Sequence, residues 1–310
     1  MQSIQIYTVK TFINIFRSVL FVHKTEPNTV RVGFERLSNI TKFPRFVKKE
    51  ELKYAGSDAA WFIPDGFGKS KTILYLHGGG YVVGSYNTHR ALIARIARAA
   101  GYKALAINYR KAPENAYPCA LEDALAAYKQ MLADGYENIF IMGDSAGGGL
   151  TLALLQMIKK QRLPKAAGAV LLSPWTDLTL SGDSIESKKD KDPLITPHLL
   201  TIFSKRYIGD ADPTDPLVSP LFADVKGFPP TLIQVGSNEI LFDDSIRMAQ
   251  KMNKAGVKVQ LEIYENMMHV WQYLGGIVPE ANKAIDEIGE FVQSIQVRTK
   301  ADKQDTLAVY

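Results

Sequence analysis

One serine, set between glycines, has the surroundings of a nucleophile in this 310-residue chain. It is Ser145, in Gly143-Asp144-Ser145-Ala146-Gly147. Residues 139–142, Ile-Phe-Ile-Met, favour a strand, and Leu150, Leu154, Met157 and Ile158 recur beyond the serine at helical spacing. A strand that passes straight into a helix through G-x-S-x-G holds the serine in an unfavourable backbone conformation and lifts its hydroxyl above the sheet. The helix start offers free N–H groups and the positive end of the macrodipole to developing negative charge. G-x-S-x-G by itself is common by chance, and a glycine-rich turn with a bystander serine is the plain alternative. The flanking strand and helix argue for the nucleophile.

Acyl transfer through a serine needs backbone donors about 3 Å from the developing oxyanion, each worth about 3–4 kcal/mol. His77-Gly78-Gly79-Gly80-Tyr81 follows a second strand-like run, 72–76, and ends at the same sheet edge. Gly78, Gly79 and Gly80, with the N–H of Ala146, are the candidate oxyanion donors. His77 reads as a structural residue that orients this loop. Where a strand–elbow–helix supplies the serine, the chain order is serine, acid, histidine, so the base lies after Ser145. Two of the five histidines qualify, His198 and His269. His198 opens a helix behind a proline, a surface position, whereas His269 follows the last strand at the correct edge. For the acid, Asp177, Glu239, Asp243 and Asp244 compete. Asp243 and Asp244 open a helix, where a carboxylate caps free N–H groups, and Glu239 lies in the loop that faces His269.

These residues need a sheet to carry them. Strands are expected at 72–76, 104–108, 139–142, 169–172, 231–235 and 257–264, with helices near 88–100, 118–133, 145–160, 243–255 and 280–296. Thr88 is placed to cap the first helix, and Gly101, Gly135 and Gly256 to end three of them. Strict alternation of strand and helix implies an open, doubly wound, mostly parallel α/β sheet. Ahead of it, 45–54 and 59–63 form β-like runs with the turn at 56–58, and two helices, broken around 25–28, fill residues 1–40. Nearly sixty residues separate the strands at 169–172 and 231–235, too many for a bare loop in a compact domain. The expected organisation is N-terminal helices over 1–45 and a catalytic domain over 46–310. A helical insertion at about 180–225 completes a lid with the N-terminal helices.

At 46% hydrophobic and 22% charged, this is the composition of a soluble globular chain. A single cysteine, Cys119, excludes internal disulfides and a cysteine metal site, and the expected compartment is the cytoplasm. The net charge of +5 comes from residues 1–53, where ten Lys/Arg face four Glu. No basic run with interleaved aromatics suggests nucleic-acid binding. The apolar stretch 4–22 is interrupted by Lys10 and Arg17, which argues against a signal peptide or membrane span. An amphipathic helix packed on the protein, or resting on a membrane surface, fits better. A homo-oligomer stays open.

From about residue 30 to about 292 the chain resembles the hormone-sensitive-lipase-like esterases, often called family IV, in the subgroup with Gly-Asp-Ser-Ala-Gly. The resemblance rests on His77-Gly-Gly-Gly-Tyr-Val-Val-Gly-Ser85, Asn108-Tyr-Arg-Lys-Ala-Pro-Glu114 and Gly143–Gly149. Ser173-Pro-Trp-Thr-Asp-Leu178, Asp215-Pro-Leu-Val-Ser-Pro-Leu-Phe222 and Met268-His-Val-Trp-Gln272 complete it. It implies an α/β-hydrolase fold with a helical lid, and hydrolysis of short- to medium-chain acyl esters without cofactor or metal. Ser145 is then the nucleophile, His269 the base, and Glu239 the acid, a glutamate where many members carry aspartate. Gly79, Gly80 and Ala146 lead the oxyanion donors, and Tyr81 and Trp175, inside two of the motifs, are assigned to the substrate pocket. Two readings compete: a non-catalytic binding protein, as in the plant gibberellin receptors that lack the histidine, and an amidase or peptidase. His269 in place favours the enzyme.

Overall fold

Segments buried on both faces become central strands, and the chain supplies several of them in succession. The computed structural model describes residues 27–38 and 42–296. Its strands are β1 (Val47–Tyr54), β2 (Ser57–Pro64), β3 (Gly68–Leu76), β4 (Tyr102–Asn108), β5 (Ile139–Asp144), β6 (Gly168–Leu172), β7 (Thr231–Gly236) and β8 (Val259–Tyr264). They form one sheet in the order β1-β2-β4-β3-β5-β6-β7-β8. From β3 to β8 every pairing is parallel, and only β2 runs against its neighbours. All residues of β5, β6 and β7 are buried, whereas β8 at the edge is half exposed. The turn between β1 and β2 is tighter than the sequence suggested. Tyr54 already faces Ser57, and Ala55 and Gly56 at φ 49° and 87° make a two-residue turn matched to strand twist.

The helices are α1 (Pro27–Ser38), α2 (Arg90–Ala100), α3 (Cys119–Ala133), α4 (Ala146–Lys160), α5 (Ser184–Ser187), α6 (Pro197–Ile208), α7 (Phe242–Lys254) and α8 (Pro279–Ser294). Side chains alternate across a strand, so each strand feeds two cores. Leu74, Leu76 and Ile141 point to the face covered by α3, α4 and α7. Ile73, Tyr75, Phe140 and Met142 point to the face covered by α2 and α8. Gly101 ends α2 in the left-handed conformation, as expected, but Thr88 is not its cap. The Thr88 hydroxyl instead accepts from the Ser85 N–H at 2.9 Å, which closes a turn before the helix.

This topology fixes where chemistry can occur. The chain leaves β3 through α2 to β4 on one side, then returns through α3 to β5 on the other side of β3. Leu76 pairs with Gly143, so the loops after β3 and β5 open side by side where the strand order reverses. Crevices of this kind are where open α/β sheets bind ligands.

Two further segments cover that edge. The insertion between β6 and β7 carries α5 and α6, and the Thr196 hydroxyl caps α6 by accepting from Leu199 N at 3.1 Å. Helix α1 is tied down by polar contacts. Arg31 donates to the Val82 and Ala112 carbonyls at 2.8 and 2.7 Å and pairs with Glu114. Glu35 accepts from the Ser85 hydroxyl and from Asn87 Nδ2. The apolar stretch 4–22 and the expected first helix lie outside the described residues. Among the described residues no helix is long and apolar enough to cross a membrane.

Candidate active site

Ser145 stands between β5 and α4 with φ 53° and ψ −121°, a conformation that costs on the order of 1–3 kcal/mol and persists only where the surroundings enforce it. They do. Its N–H donates to Leu172 O at 2.8 Å, and its carbonyl accepts from Trp175 N at 2.9 Å and Gly148 N at 3.0 Å. The glycines on either side are obligatory for space: a Cβ on Gly143 would lie 2.3 Å from Gly147 O, and one on Gly147 2.0 Å from Leu76 O.

His269 lies in the loop after β8, and its Nδ1 is 2.8 Å from Glu239 Oε2. Glu239 is fully buried in the loop after β7. Its other oxygen accepts from Gly236 N at 2.5 Å and from the Ser173 hydroxyl at 2.9 Å. Ser173 in turn accepts from Val270 N at 3.1 Å, so one hydroxyl ties the acid loop to the histidine loop. Burial opposes a charged imidazole, but the hydrogen bond and charge of Glu239 outweigh it and raise His269 above its ordinary value. With Nδ1 engaged, Nε2 is the nitrogen left for Ser145, which lines the same cavity.

The other candidate carboxylates make hydrogen bonds away from His269. Asp177 is buried against Thr179, Ser181 and Arg247. Asp243 accepts from Ser184 N at 2.8 Å, and Asp244 from Thr176 N and Asp177 N at 2.7 and 2.9 Å. The sequence placed these two aspartates as caps of α7; they stand in its first turn but make no capping bond. Their carboxylates hold the insertion where it leaves β6. Burial, with Asp177 nearby, pushes Asp244 up to about 7. Asp244→Ala strands two buried N–H groups, each costing about 1–3 kcal/mol. Denaturant unfolding is expected to report a loss of about 2–6 kcal/mol; a change within error would mean water or the backbone replaces the carboxylate.

The glycine loop divides. Gly78 N–H lies 3.1 Å from Asp144 Oδ1 and is used up there. That removes Gly78 from the expected donor set. Among the described residues no partner takes the N–H of Gly79 or Gly80, and Ala146 opens α4, where an N–H has no intrahelical acceptor. Gly79, Gly80, Ser145 and His269 all line one cavity of about 230 Å³. Val30 and Phe34 of α1 close one side of it, and Leu194, Leu199, Leu200 and Phe203 of the insertion another. Tyr81 and Trp175 do not reach it. Tyr81 stacks on Tyr207 at 3.6 Å behind the wall, and buried Trp175 donates its indole N–H to Asp177 O at 3.1 Å. His198, on the outer face of α6, is exposed.

Two residues beside Glu239 escaped the sequence reading. Ser173 opens one of the quoted motifs, yet nothing in that motif tells a relay hydroxyl from a turn former. Asp192, buried in the insertion, accepts from Ile240 N at 3.1 Å and from Leu194 N at 2.9 Å. Burial pushes it up to about 6, with nearby Glu239 adding to the effect and His269 opposing it. No spacing pattern marks it.

Comparison with known proteins agrees with this architecture. Residues 73–273 match the model of a family with the α/β hydrolase fold. The chain belongs to the α/β hydrolase family. This hydrolase is 42% identical over 226 residues to an acetyl-hydrolase of Streptomyces hygroscopicus, covering 72% of this chain and 76% of the relative. It superposes on an esterase/lipase from an uncultured bacterium with a TM-score of 0.89 at 40% identity, covering 94% and 98% of the two chains. An esterase of the bacterial hormone-sensitive lipase family gives a TM-score of 0.91 at 37% identity, over 95% and 99%. The hydrolase is accordingly a carboxylic ester hydrolase of the hormone-sensitive-lipase type.

Proposed function

We propose that the esterase works through a Ser145–His269–Glu239 triad and a covalent acyl-enzyme. His269 Nε2 takes the Ser145 proton as Oγ attacks the ester carbonyl, and the N–H groups of Gly79, Gly80 and Ala146 receive the oxyanion. The imidazolium then protonates the leaving alcohol, and a water repeats the sequence on the acyl-enzyme. Glu239 holds the imidazole in the tautomer with its proton on Nδ1. The observation that carries this reading is the strained Ser145 opening into the same cavity as a histidine fixed by a buried carboxylate.

The substrates we assign are uncharged short- to medium-chain acyl esters, on the order of C4 to C8. Support comes from size and lining. About 230 Å³ is below the roughly 300–1,000 Å³ usual for drug-sized ligands, and α1 and the insertion contribute only apolar side chains. The acetyl-hydrolase relative makes small acyl groups the first to try. Helix α1 and the insertion act as the lid, and we place the enzyme in the cytoplasm. Specific activity on p-nitrophenyl esters from C2 to C16 tests the pocket, with matched anilides as the amidase control. A maximum at C12 or beyond, or a jump in rate on emulsified triglyceride, would mean a lipase instead.

A further inference from the structure

The carboxylate of Asp144 plays no part in the triad, although it sits one residue before the nucleophile. It turns back under the glycine loop. Oδ1 accepts from Tyr75 OH at 2.8 Å and from Gly78 N at 3.1 Å. Oδ2 lies 3.3 Å from His89 Nε2, which is itself 3.2 Å from Gly78 N. His89 Nδ1 is anchored in turn, 2.7 Å from Thr88 Oγ1 and 3.0 Å from Ser85 O. Both Asp144 and His89 are almost wholly buried. The fit is tight: a Cβ on Gly78 would lie 2.2 Å from Asp144 Oδ2. Burial works against the charge, yet the His89, Tyr75 and Gly78 contacts hold the carboxyl below the usual range.

A burial site for an anion beside a developing oxyanion is costly unless the anion has a task there. The task is visible in the chain geometry. Asp144 is rigidly joined to Ser145, and Gly78 is rigidly joined to Gly79. A hydrogen bond between Asp144 and Gly78 therefore fixes the distance between the nucleophile and the next two N–H groups. We infer that Asp144 is a positioning residue that sets the register of the oxyanion hole on the elbow, consuming the Gly78 N–H so that those of Gly79 and Gly80 face Ser145. This rests on the serine-hydrolase reading above. It adds a residue at the cavity wall whose carboxylate, engaged by Tyr75, Gly78 and His89, acts through the glycine loop and not on the reacting atoms.

Comparison of an ester with its thionoester separates the hole from the rest of the machinery. Sulfur accepts hydrogen bonds poorly, so a thionoester gains little from the hole, and a merely structural defect slows both substrates alike. Kinetics of p-nitrophenyl butyrate and its thiono analogue are measured on purified Asp144→Ala, Asp144→Asn, Gly78→Ala and Ser145→Ala. Asp144→Ala is expected to lose about 10²-fold in kcat on the ester, with KM changed by less than about threefold, because a misplacement near 1 Å costs that much. The ester-to-thionoester ratio falls with it. Asp144→Asn keeps an oxygen for Gly78 N–H and restores most of the ratio. Gly78→Ala, which pushes the loop from the other side, lowers it again and decides the matter if Asp144→Ala does not fold. Equal losses on both substrates, or an ester kcat within about threefold of wild type in Asp144→Ala, overturn the inference. An active Ser145→Ala would sink the serine-hydrolase reading itself; an inactive one beside a normal Asp144→Ala sinks only the positioning role.

Discussion

Ser145→Ala is expected to lower turnover on esters by about 10⁶-fold, the scale seen when a triad nucleophile is removed alone. The residual rate is what the oxyanion donors and binding supply without a nucleophile. Substrate binding should survive, because the apolar walls contributed by α1 and the insertion lie outside the elbow. The fold should survive as well. What holds the elbow is its backbone: Ser145 N to Leu172 O, and Trp175 N to Ser145 O. Alanine keeps both, and it meets the same positive φ as serine. A purified, folded Ser145→Ala with a tenth of wild-type turnover would end the assignment, as would a wild-type enzyme untouched by an organophosphonate.

The sequence displayed the parts of the site that depend on backbone alone. Gly143 and Gly147 flank Ser145 because carbonyls occupy the space of their side chains, so a fixed spacing survives as a motif. The strands were legible because β5, β6 and β7 are buried throughout and read as unbroken apolar runs. Side-chain direction was not legible. Tyr81 and Trp175 belong to motifs that line the site, but both turn away from the cavity into the core. Local signals also misplaced the aspartates of α7. An acid in the first turn of a helix is the usual mark of a cap, yet Asp243 and Asp244 serve a segment some sixty residues earlier. That contact exists only once the insertion has folded back. For the same reason Asp192 and Ser173 could not be found: their partners, Ile240 and Val270, are distant in sequence. The Gly78 exception has another cause, since three identical glycines in a row carry no sign of which N–H is already taken.

Glu239→Gln should lower kcat by about 10³–10⁴-fold while Ser145 and the oxyanion donors stay in place. The reason lies in the number of partners on the carboxylate. Oε1 accepts from Gly236 N and the Ser173 hydroxyl, and Oε2 faces His269 Nδ1. A glutamine has one oxygen, and two donors hold it at the Oε1 position. Its NH₂ must then point at Nδ1, which can only accept, so the imidazole proton moves to Nε2. That tautomer cannot take the proton of Ser145. The pH dependence should change in the same experiment. Glu239 raises His269 despite burial, and the base works only when neutral. Wild-type kcat/KM should therefore fall as pH drops through a midpoint above 6.5, the ordinary histidine value, and that midpoint should move down in Glu239→Gln. Asp243→Asn and Asp177→Asn should leave both the rate constant and its pH profile intact, because those carboxylates serve the insertion and α7. The demanding control is Asp192→Asn, whose carboxylate is buried close to both Glu239 and His269. Glu239 loses the role of triad acid if Glu239→Gln keeps most of its activity while Asp192→Asn, in a folded protein, abolishes it.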